Sequence, residues 1–385
     1  MLILEKPFVS DTLVRCAIEN DFPVLRNEMS ESLVAKGHKL SLYNDSDFVA
    51  EYNKRGRLYS MSENGLGWIN ANIDNQEFLD KITLLKDKTV FRKICASLYP
   101  DFFFCEKEVR DLGKIDVETL RFPLVLKPSV GFLSIGVYVV RDAEEWRKAV
   151  ADIERTFSSA SRQFPEFVVG SSRFLIEEYI KGEEFAVDAY FDAEGKPFIL
   201  NIYDHKFANE ADTSDRLYCS SRALYDEYEQ TFMRFLVSIN EKVGLRNFPI
   251  HIEFRYDGKK AVPIEINPLR FAGFCLNELQ THISGVHPII SYFNNLHINK
   301  EEMWKGKEKD TYSFILLERP SGCGNDMVFN EKKFRDEFMD VLELRPINDS
   351  NVSAAASAFI RTDKAHEAEF DRILTLDMRD FMIRR

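Results

Sequence analysis

The sequence predicts an α/β (α+β) fold: a small Rossmann-like α/β domain at the N-terminus, a central region of paired strands and long helices, and a C-terminal extension. Three observations predict it. Short apolar runs alternate with helical periodicity through residues 1–80. Between residues 121 and 203 apolar strands come in pairs around glycine-bearing turns. Finally, FPIHIEFRY (248–256) and AVPIEIN (261–267) read as a hairpin around Asp257–Gly258.

In chain order, residues 2–4 predict a strand, Ser10–Asn20 a helix and PVLRN (23–27) a second strand, without the glycine fingerprint of a dinucleotide site. KDKTVFRKICASL (86–98) predicts an amphipathic helix. RFPLVLKP (121–128) and IGVYVV (135–140) are strands, and Asp142 with Glu145 caps a helix running to about Phe157. RFLIEEYI (173–180), EFAVDAYF (184–191) and PFILNIY (197–203) are further strands. Residues 204–222 are polar and turn-rich and predict a mobile loop. A helix from about Tyr225 to Val243 ends at Gly244. TYSFILLE (311–318) is strand-like, and a last helix is expected near 364–375. The division expected from this pattern is 1–85 (N-terminal domain), 86–185 (small subdomain), 186–300 (large subdomain with a metal site) and 301–385 (C-terminal subdomain).

Composition narrows the function class. Lys plus Arg is 51 and Asp plus Glu 63, a net charge of 51 − 63 = −12. That sign repels phosphate backbones and anionic lipid, so neither nucleic acid nor membrane is an expected partner. Six scattered cysteines without a C-x-x-C pair point away from disulfides and zinc and toward a reducing compartment. Glu5 and Lys6 interrupt the first apolar run, and no stretch reaches the ~20 apolar residues of a membrane span. The expected location is cytoplasmic.

Three segments carry chemistry. In KPSVGFLSIGV (127–137) Lys127 ends a strand and Gly131 and Ser134 lie in a short loop. Backbone N–H groups of such a loop can cradle phosphate oxygens, with the lysine as a point charge. By itself the segment is equally a hairpin with a solvated lysine. In IEEYIKGEEFAVD (176–188) an acidic pair precedes a Gly-containing turn and Glu184 starts the next strand. Alternation puts Glu184, Ala186 and Asp188 on one face and Phe185 and Val187 toward the core. Such a segment can offer backbone to adenine and a carboxylate to ribose; taken singly it also fits a solvated acidic hairpin. The third segment is the 248–267 hairpin. A three-residue loop, Gly258–Lys260, sets Asp257 opposite Ala261 and Glu253 opposite Glu265. Facing carboxylates repel, and a hard divalent cation removes the conflict, with Asn267 as a neutral oxygen ligand.

In this order and spacing, over residues 86–275, the three segments resemble the ATP-grasp superfamily, and more narrowly its carboxylate–amine ligase branch. The resemblance implies an ATP-grasp fold with a nucleotide between two α+β subdomains. It implies Lys88 and Lys127 on phosphates, the Gly131–Ser134 loop over them, and Glu177, Glu178, Tyr179 and Ile180 lining the adenine. It further implies Glu184 on the ribose, Glu253, Glu265 and Asn267 on one or two Mg²⁺ ions (Mn²⁺ being an alternative), and Lys206 as another phosphate contact. Arg270 resembles the arginine that orients the reacting carboxylate, although Leu269 here separates it from Pro268; His251 stands where some relatives carry arginine. Arg222 reads as a surface charge, Cys219 as a bland thiol, and His282 and His287 as structural.

The activity so implied is Mg-ATP-dependent formation of an acyl phosphate from a small carboxylate, which an amine, an amino acid among the candidates, then attacks. A kinase, a ligase with a thiol or hydroxyl acceptor, and a nucleotide-binding scaffold without turnover are the alternatives. The expected partners are small-molecule carboxylate and amine substrates, and a homodimer is compatible with the reading.

Overall fold

In a computed structural model of the protein, residues 1–130, 136–160, 173–210, 212–323, 326–347 and 352–384 are described. Gly131 and Ser134 of the expected phosphate loop lie outside them. The chain divides into two compact units. One comprises Met1–Asp74, Glu183–Phe254 and Asn267–Arg385; the other comprises Asn75–Gly182 and Arg255–Ile266.

The first unit begins with a four-stranded parallel sheet in the order Leu42–Tyr43, Val24–Leu25, Leu2–Ile3, Tyr59–Ser60. Helix Asp11–Glu19 packs on it through Leu13, Val14 and Ala17, and Ser10 caps that helix by accepting from Leu13 N. The Rossmann-like expectation for this region matches these parallel strands.

An eight-stranded sheet follows, in the order Ala261–Pro268, Phe248–Tyr256, Glu183–Phe191, Pro197–Lys206, Leu217–Ser221, Thr311–Glu318, Ala354–Thr362, Val341–Pro346. The helix Arg222–Val243 starts at the Ser221 cap and ends at Gly244, whose φ of 68° is the left-handed turn a side chain resists. Its face of Tyr228, Phe232 and Phe235 meets Phe185 and Phe254, with ring centroids 4.6–5.7 Å apart. A second core gathers Leu217, Ile315, Phe334, Ile360 and Ile373.

The other unit carries an antiparallel sheet in the order Phe104–Glu108, Arg173–Glu178, Leu124–Pro128, Tyr138–Val140. Helix Ala143–Ala160 covers it with Trp146, Val150 and Ile153 against Leu124, Leu126 and Ile176. Asp142 accepts from Glu144 N and Glu145 N, and Glu145 accepts from Arg141 N, so the cap expected from sequence is built. Gly182 has a φ of 113°, and a Cβ there would run into the Tyr256 carbonyl. The turn therefore requires glycine on two counts.

Three expectations need correction. Residues 204–222 are not one loop: the Pro197–Lys206 strand runs on through 204–206, and Leu217–Ser221 is a strand between two others. On Glu183–Phe191 the side chains alternate, but the face of Ala186 and Asp188, expected away from the core, is as buried as that of Phe185 and Val187 because both sheet faces are covered. The hairpin turn is one residue shorter than expected. Asp257 N–H donates to Lys260 O at 3.4 Å, Gly258 takes φ 87°, and Asp257 faces Lys260 instead of Ala261. At the other end Leu269 N–H donates to Pro249 O at 2.9 Å, one residue out of step with the turn, so the ladder is irregular between them. Among the described residues no helix is long and apolar enough to cross a membrane.

Candidate functional site

The Asn75–Gly182/Arg255–Ile266 unit gathers three cations and two carboxylates. Asp87 caps helix Lys88–Cys95 by accepting from Thr89 N at 2.9 Å and Val90 N at 3.0 Å, which fixes Lys88 as its first residue. Lys88 Nζ lies 2.8 Å from Glu265 Oε2. One helical turn on, Arg92 sets Nε and Nη2 on Glu177 Oε2 at 2.9 and 2.8 Å, and Nη1 on Pro263 O at 2.9 Å. Lys127 Nζ takes the other oxygen, Glu177 Oε1, at 2.7 Å and reaches Ile264 O at 3.4 Å.

Arg92, Glu177 and Lys127 are each at most 4% exposed. Burial would push the Glu177 carboxyl up, but Lys127 and Arg92 hold it below the usual carboxylate range. Burial lowers Lys127, aided by Arg92 and Lys88 and opposed by Glu177. Burial also opposes ionisation of Glu265, yet Lys88 brings its pKa down to about 2. Glu177 is thus engaged by two cations. The Glu178 and Tyr179 N–H groups donate to Phe103 O at 3.0 Å and Pro123 O at 3.1 Å, and Tyr179 is itself held by Arg255, which donates to its hydroxyl at 2.8 Å and lies over its ring.

The first unit holds a second constellation on the Glu183–Phe191 strand and its neighbours. Asp188 is 1% exposed and accepts three hydrogen bonds: from His251 Nδ1 at 2.9 Å, Ala272 N at 2.8 Å and Tyr203 Oη at 2.8 Å. His251 Nε2 stands 3.6 Å from Glu253 Oε1. Burial disfavours the imidazolium, but the hydrogen bonds and charges of Asp188 and Glu253 raise the His251 pKa to about 9. Glu184 faces His205 across the strand pair, with Oε1 2.9 Å from Nδ1.

Lys206 does not join Glu184 and His205. Its Nζ bonds Asp204 at 2.6 Å, and both line a 450 Å³ cavity with Cys219, Ser221, Thr311 and Glu367. Residues one apart on a strand point to opposite faces, so the register that aims His205 at Glu184 turns Lys206 away from them.

After Pro268, Leu269 adopts φ 60° and is fully buried, with its N–H on Pro249 O and its C=O accepting from Ser60 N at 2.8 Å. This left-handed residue absorbs the extra position. Arg270 sits beside it with its side chain 15% exposed. Its Nη1 donates to Phe271 O at 3.1 Å, its Nη2 lies 3.5 Å from Glu63, and its buried Nε has no hydrogen-bond partner among the described residues. Arg222, by contrast, is tied to Asp226 and Glu301 at the surface. His287 bonds the buried Glu278 and His282 bonds Glu343.

Glu253 and Asn267 in the first unit and Glu265 in the other each offer oxygen, the donor type a hard divalent ion prefers. The ionised state of Glu265 fits such an ion. Among the described residues no group of three or more His, Cys, Asp and Glu gathers as a purely protein-held metal would need.

Sequence reasoning missed Arg92, Asp188, Tyr203 and His205. Asp188 was visible as a polar residue in an apolar run, whereas nothing in the Arg92 spacing distinguishes it from a solvated helix face.

Residues 120–278 match the sequence profile of the ATP-grasp domain. A D-alanine–D-alanine ligase of Bacillus anthracis is 33% identical over 116 residues, 29% of this chain and 33% of that protein. The alanine–anticapsin ligase of Bacillus subtilis is 24% identical over 169 residues, 41% of this chain and 35% of that protein. The chain thus spans about a third of the length of these curated relatives. An L-amino acid ligase from Bacillus licheniformis superimposes with a TM-score of 0.70 at 15% identity, over 100% of this chain and 98% of that one, a likeness of fold.

Proposed function

We propose, from the match of residues 120–278 to the ATP-grasp domain, that the chain binds Mg-ATP, converts a small carboxylate to an acyl phosphate and joins it to an amine, releasing ADP and phosphate. The observation that carries this reading is the cation set Lys88, Arg92 and Lys127 ordered on Glu265 and Glu177. The relatives named as ligases of D-alanine, of alanine with anticapsin and of L-amino acids support an amino acid as one substrate. In functional terms we divide the chain into residues 1–85, 86–185, 186–300 and 301–385, with the metal ligands in the third part.

The residues take these roles. Lys127 spends two of its N–H groups on Glu177 and Ile264 O and has one to direct at an α- or β-phosphate oxygen. Arg92 is a positioning residue, because its hold on Glu177 fixes the carboxylate that aims Lys127. Glu178, Tyr179 and the backbone to Ile180 line the adenine, and Glu184 receives the ribose hydroxyls. Glu253, Glu265 and Asn267 hold Mg²⁺, which when bound neutralises the triphosphate and the charge that develops on transfer. Arg270 presents a fork of donors whose Nε is unmatched, which suits the substrate carboxylate. His251 adds a fixed positive charge beside Glu253.

The chemistry is then mostly positioning. A carboxylate oxygen attacks the γ-phosphorus, forming a C–O–P linkage as the bond to ADP breaks. An amine nitrogen attacks the acyl carbon, phosphate departs with the C–O bond, and the nitrogen loses its proton. The test is to incubate the protein with Mg-ATP and a matrix of amino acids and small carboxylates, reading nucleotide products and condensed masses for each pair. ADP, phosphate and a condensed product are expected. ADP with a phosphorylated compound makes the protein a kinase, and AMP with pyrophosphate removes the acyl-phosphate route.

A further inference from the structure

The His205 ring is placed between two acceptors. Nδ1 lies 2.9 Å from Glu184 Oε1 and Nε2 lies 3.1 Å from the Ser214 carbonyl oxygen. A carbonyl and a carboxylate can only accept, so both bonds form together only if both ring nitrogens carry hydrogen. The ring is clamped as well as bonded. Tyr218 stacks on it at 4.1 Å and 15°, Phe207 lies 4.1 Å away, and His205 is 7% exposed. Its acceptors are themselves fixed. Glu184 is the residue paired directly across the ladder, and Ser214 is held by its N–H on Asp212 Oδ1 at 2.9 Å. Tyr218 is held in turn by Asp215 at 2.8 Å.

We propose that His205 is a positioning residue for the nucleotide ribose, orienting the Glu184 carboxylate toward the ribose hydroxyls and anchoring it to the Ser214 backbone. The inference rests on the reading of Glu184 as the ribose ligand. A carboxylate offers about four lone-pair directions, so a bond to His205 leaves room for hydroxyl donors while removing the freedom of a long side chain to turn away. Nothing in this role needs proton transfer. The imidazolium serves as a charged strut, and its charge makes the bond to Glu184 the stronger kind.

The charged and titratable groups facing the ring are Glu184 on the neighbouring strand, Asp215 in the segment after the strand and Tyr218 on the next strand; Asp204 and Lys206 face the other way. Burial by itself would lower the His205 pKa, and the Glu184 hydrogen bond, with the charges of Glu184 and Asp215, outweighs it, so the ring titrates above the usual histidine range. Orientation of Glu184 is thus fully present at and below that range and lost as pH rises through the raised value.

The experiment compares binding of ADP and 2′,3′-dideoxy-ADP by calorimetry with Mg²⁺ present, in the parent, Glu184→Ala, His205→Gln and the double variant. The parent is expected to favour ADP by roughly tenfold or more, the range of a charge-assisted hydrogen bond. Glu184→Ala abolishes the preference. His205→Gln reduces it to within about threefold without weakening the dideoxy compound, and the double variant is no worse than Glu184→Ala, the non-additivity of groups acting as one. In the parent the preference declines with rising pH, and in His205→Gln it is flat. Full preference in His205→Gln, with the preference lost in Glu184→Ala, overturns the role of His205 and leaves the ribose reading intact. A preference retained in Glu184→Ala, or absent from the parent, overturns both. His205→Asn serves as the second variant if His205→Gln fails to fold, under the same criteria.

Discussion

Lys88 and Glu265 form an ion pair at 2.8 Å, joining the first residue of a helix to the second arm of the hairpin. It brings together two residues that sequence reasoning had assigned separately, one to phosphate and one to metal. Glu265→Gln should lower turnover by at least ~100-fold at saturating Mg²⁺, because a neutral amide is a poor ligand for an ion that offsets transition-state charge. The fold should survive, since glutamine keeps the shape of the side chain and an oxygen that can accept from Lys88 Nζ. Parent-like turnover in a folded Glu265→Gln would end the metal assignment.

Lys127→Ala should weaken ATP by about ten- to a hundredfold and leave adenosine nearly unchanged, because the lost charge meets phosphate and not the base. Glu177 keeps Arg92 in that variant, so the buried carboxylate is not stranded. Calorimetry with the two ligands decides it: equal losses for ATP and adenosine place Lys127 away from the phosphates.

For Arg270 the structure favours an inward side chain, with Leu269 taking up the additional residue at φ 60°. Lysine cannot reproduce the planar fork. Arg270→Lys is therefore expected to hold ATP affinity within about threefold, a sub-kilocalorie change, while turnover with the carboxylate falls sharply. Near-normal turnover in both Arg270→Lys and Arg270→Ala removes the residue from the site.

Stability toward acid should depend on Glu343. Burial opposes its ionisation, but His282 at 3.2 Å and Arg345 at 2.6 Å bring its pKa from 4.5 to about 2. A carboxyl depressed on folding stabilises above its unfolded value and loses that contribution as pH falls toward its folded value. The urea midpoint should therefore drop between about pH 6 and about pH 3 more steeply in the parent than in Glu343→Gln. Parallel profiles would show that the pair contributes nothing.

Much of the architecture was legible because it rests on local signals. The hairpin, the Ser221- and Gly244-bounded helix and the Thr311–Glu318 strand each carry their own caps, turns or apolar runs. The Leu217–Ser221 strand was not, since its polar residues become strand only by pairing with Lys206 on one side and Thr311 on the other. In the candidate site, Lys88, Lys127 and Glu265 were singled out from sequence, and the structure places all three in one unit. Arg92 and His205 were not, because their roles come from partners distant in sequence, Glu177 and Pro263 for one and Glu184 for the other. Lys206 and His205 are adjacent, and sequence alone does not say which of two neighbours on a strand faces Glu184.

The unit bearing Lys88, Arg92 and Lys127 is built from two stretches, Asn75–Gly182 and Arg255–Ile266. Arg92 to Pro263, Tyr99 to Ala261 and Lys88 to Glu265 all reach the second stretch. On the ribosome that stretch emerges only after residues 183–254 have been made. Chains fold from the N-terminus as they are synthesised, so the sheet, the helices and the Glu177 ion cluster can form early, while the carbonyls of 261–264 and the Glu265 carboxylate arrive late. A translational pause before Arg255 would hold the nascent chain with Arg92 and Lys88 still short of their final partners. Completion of this unit is thus coupled to synthesis of most of the large sheet.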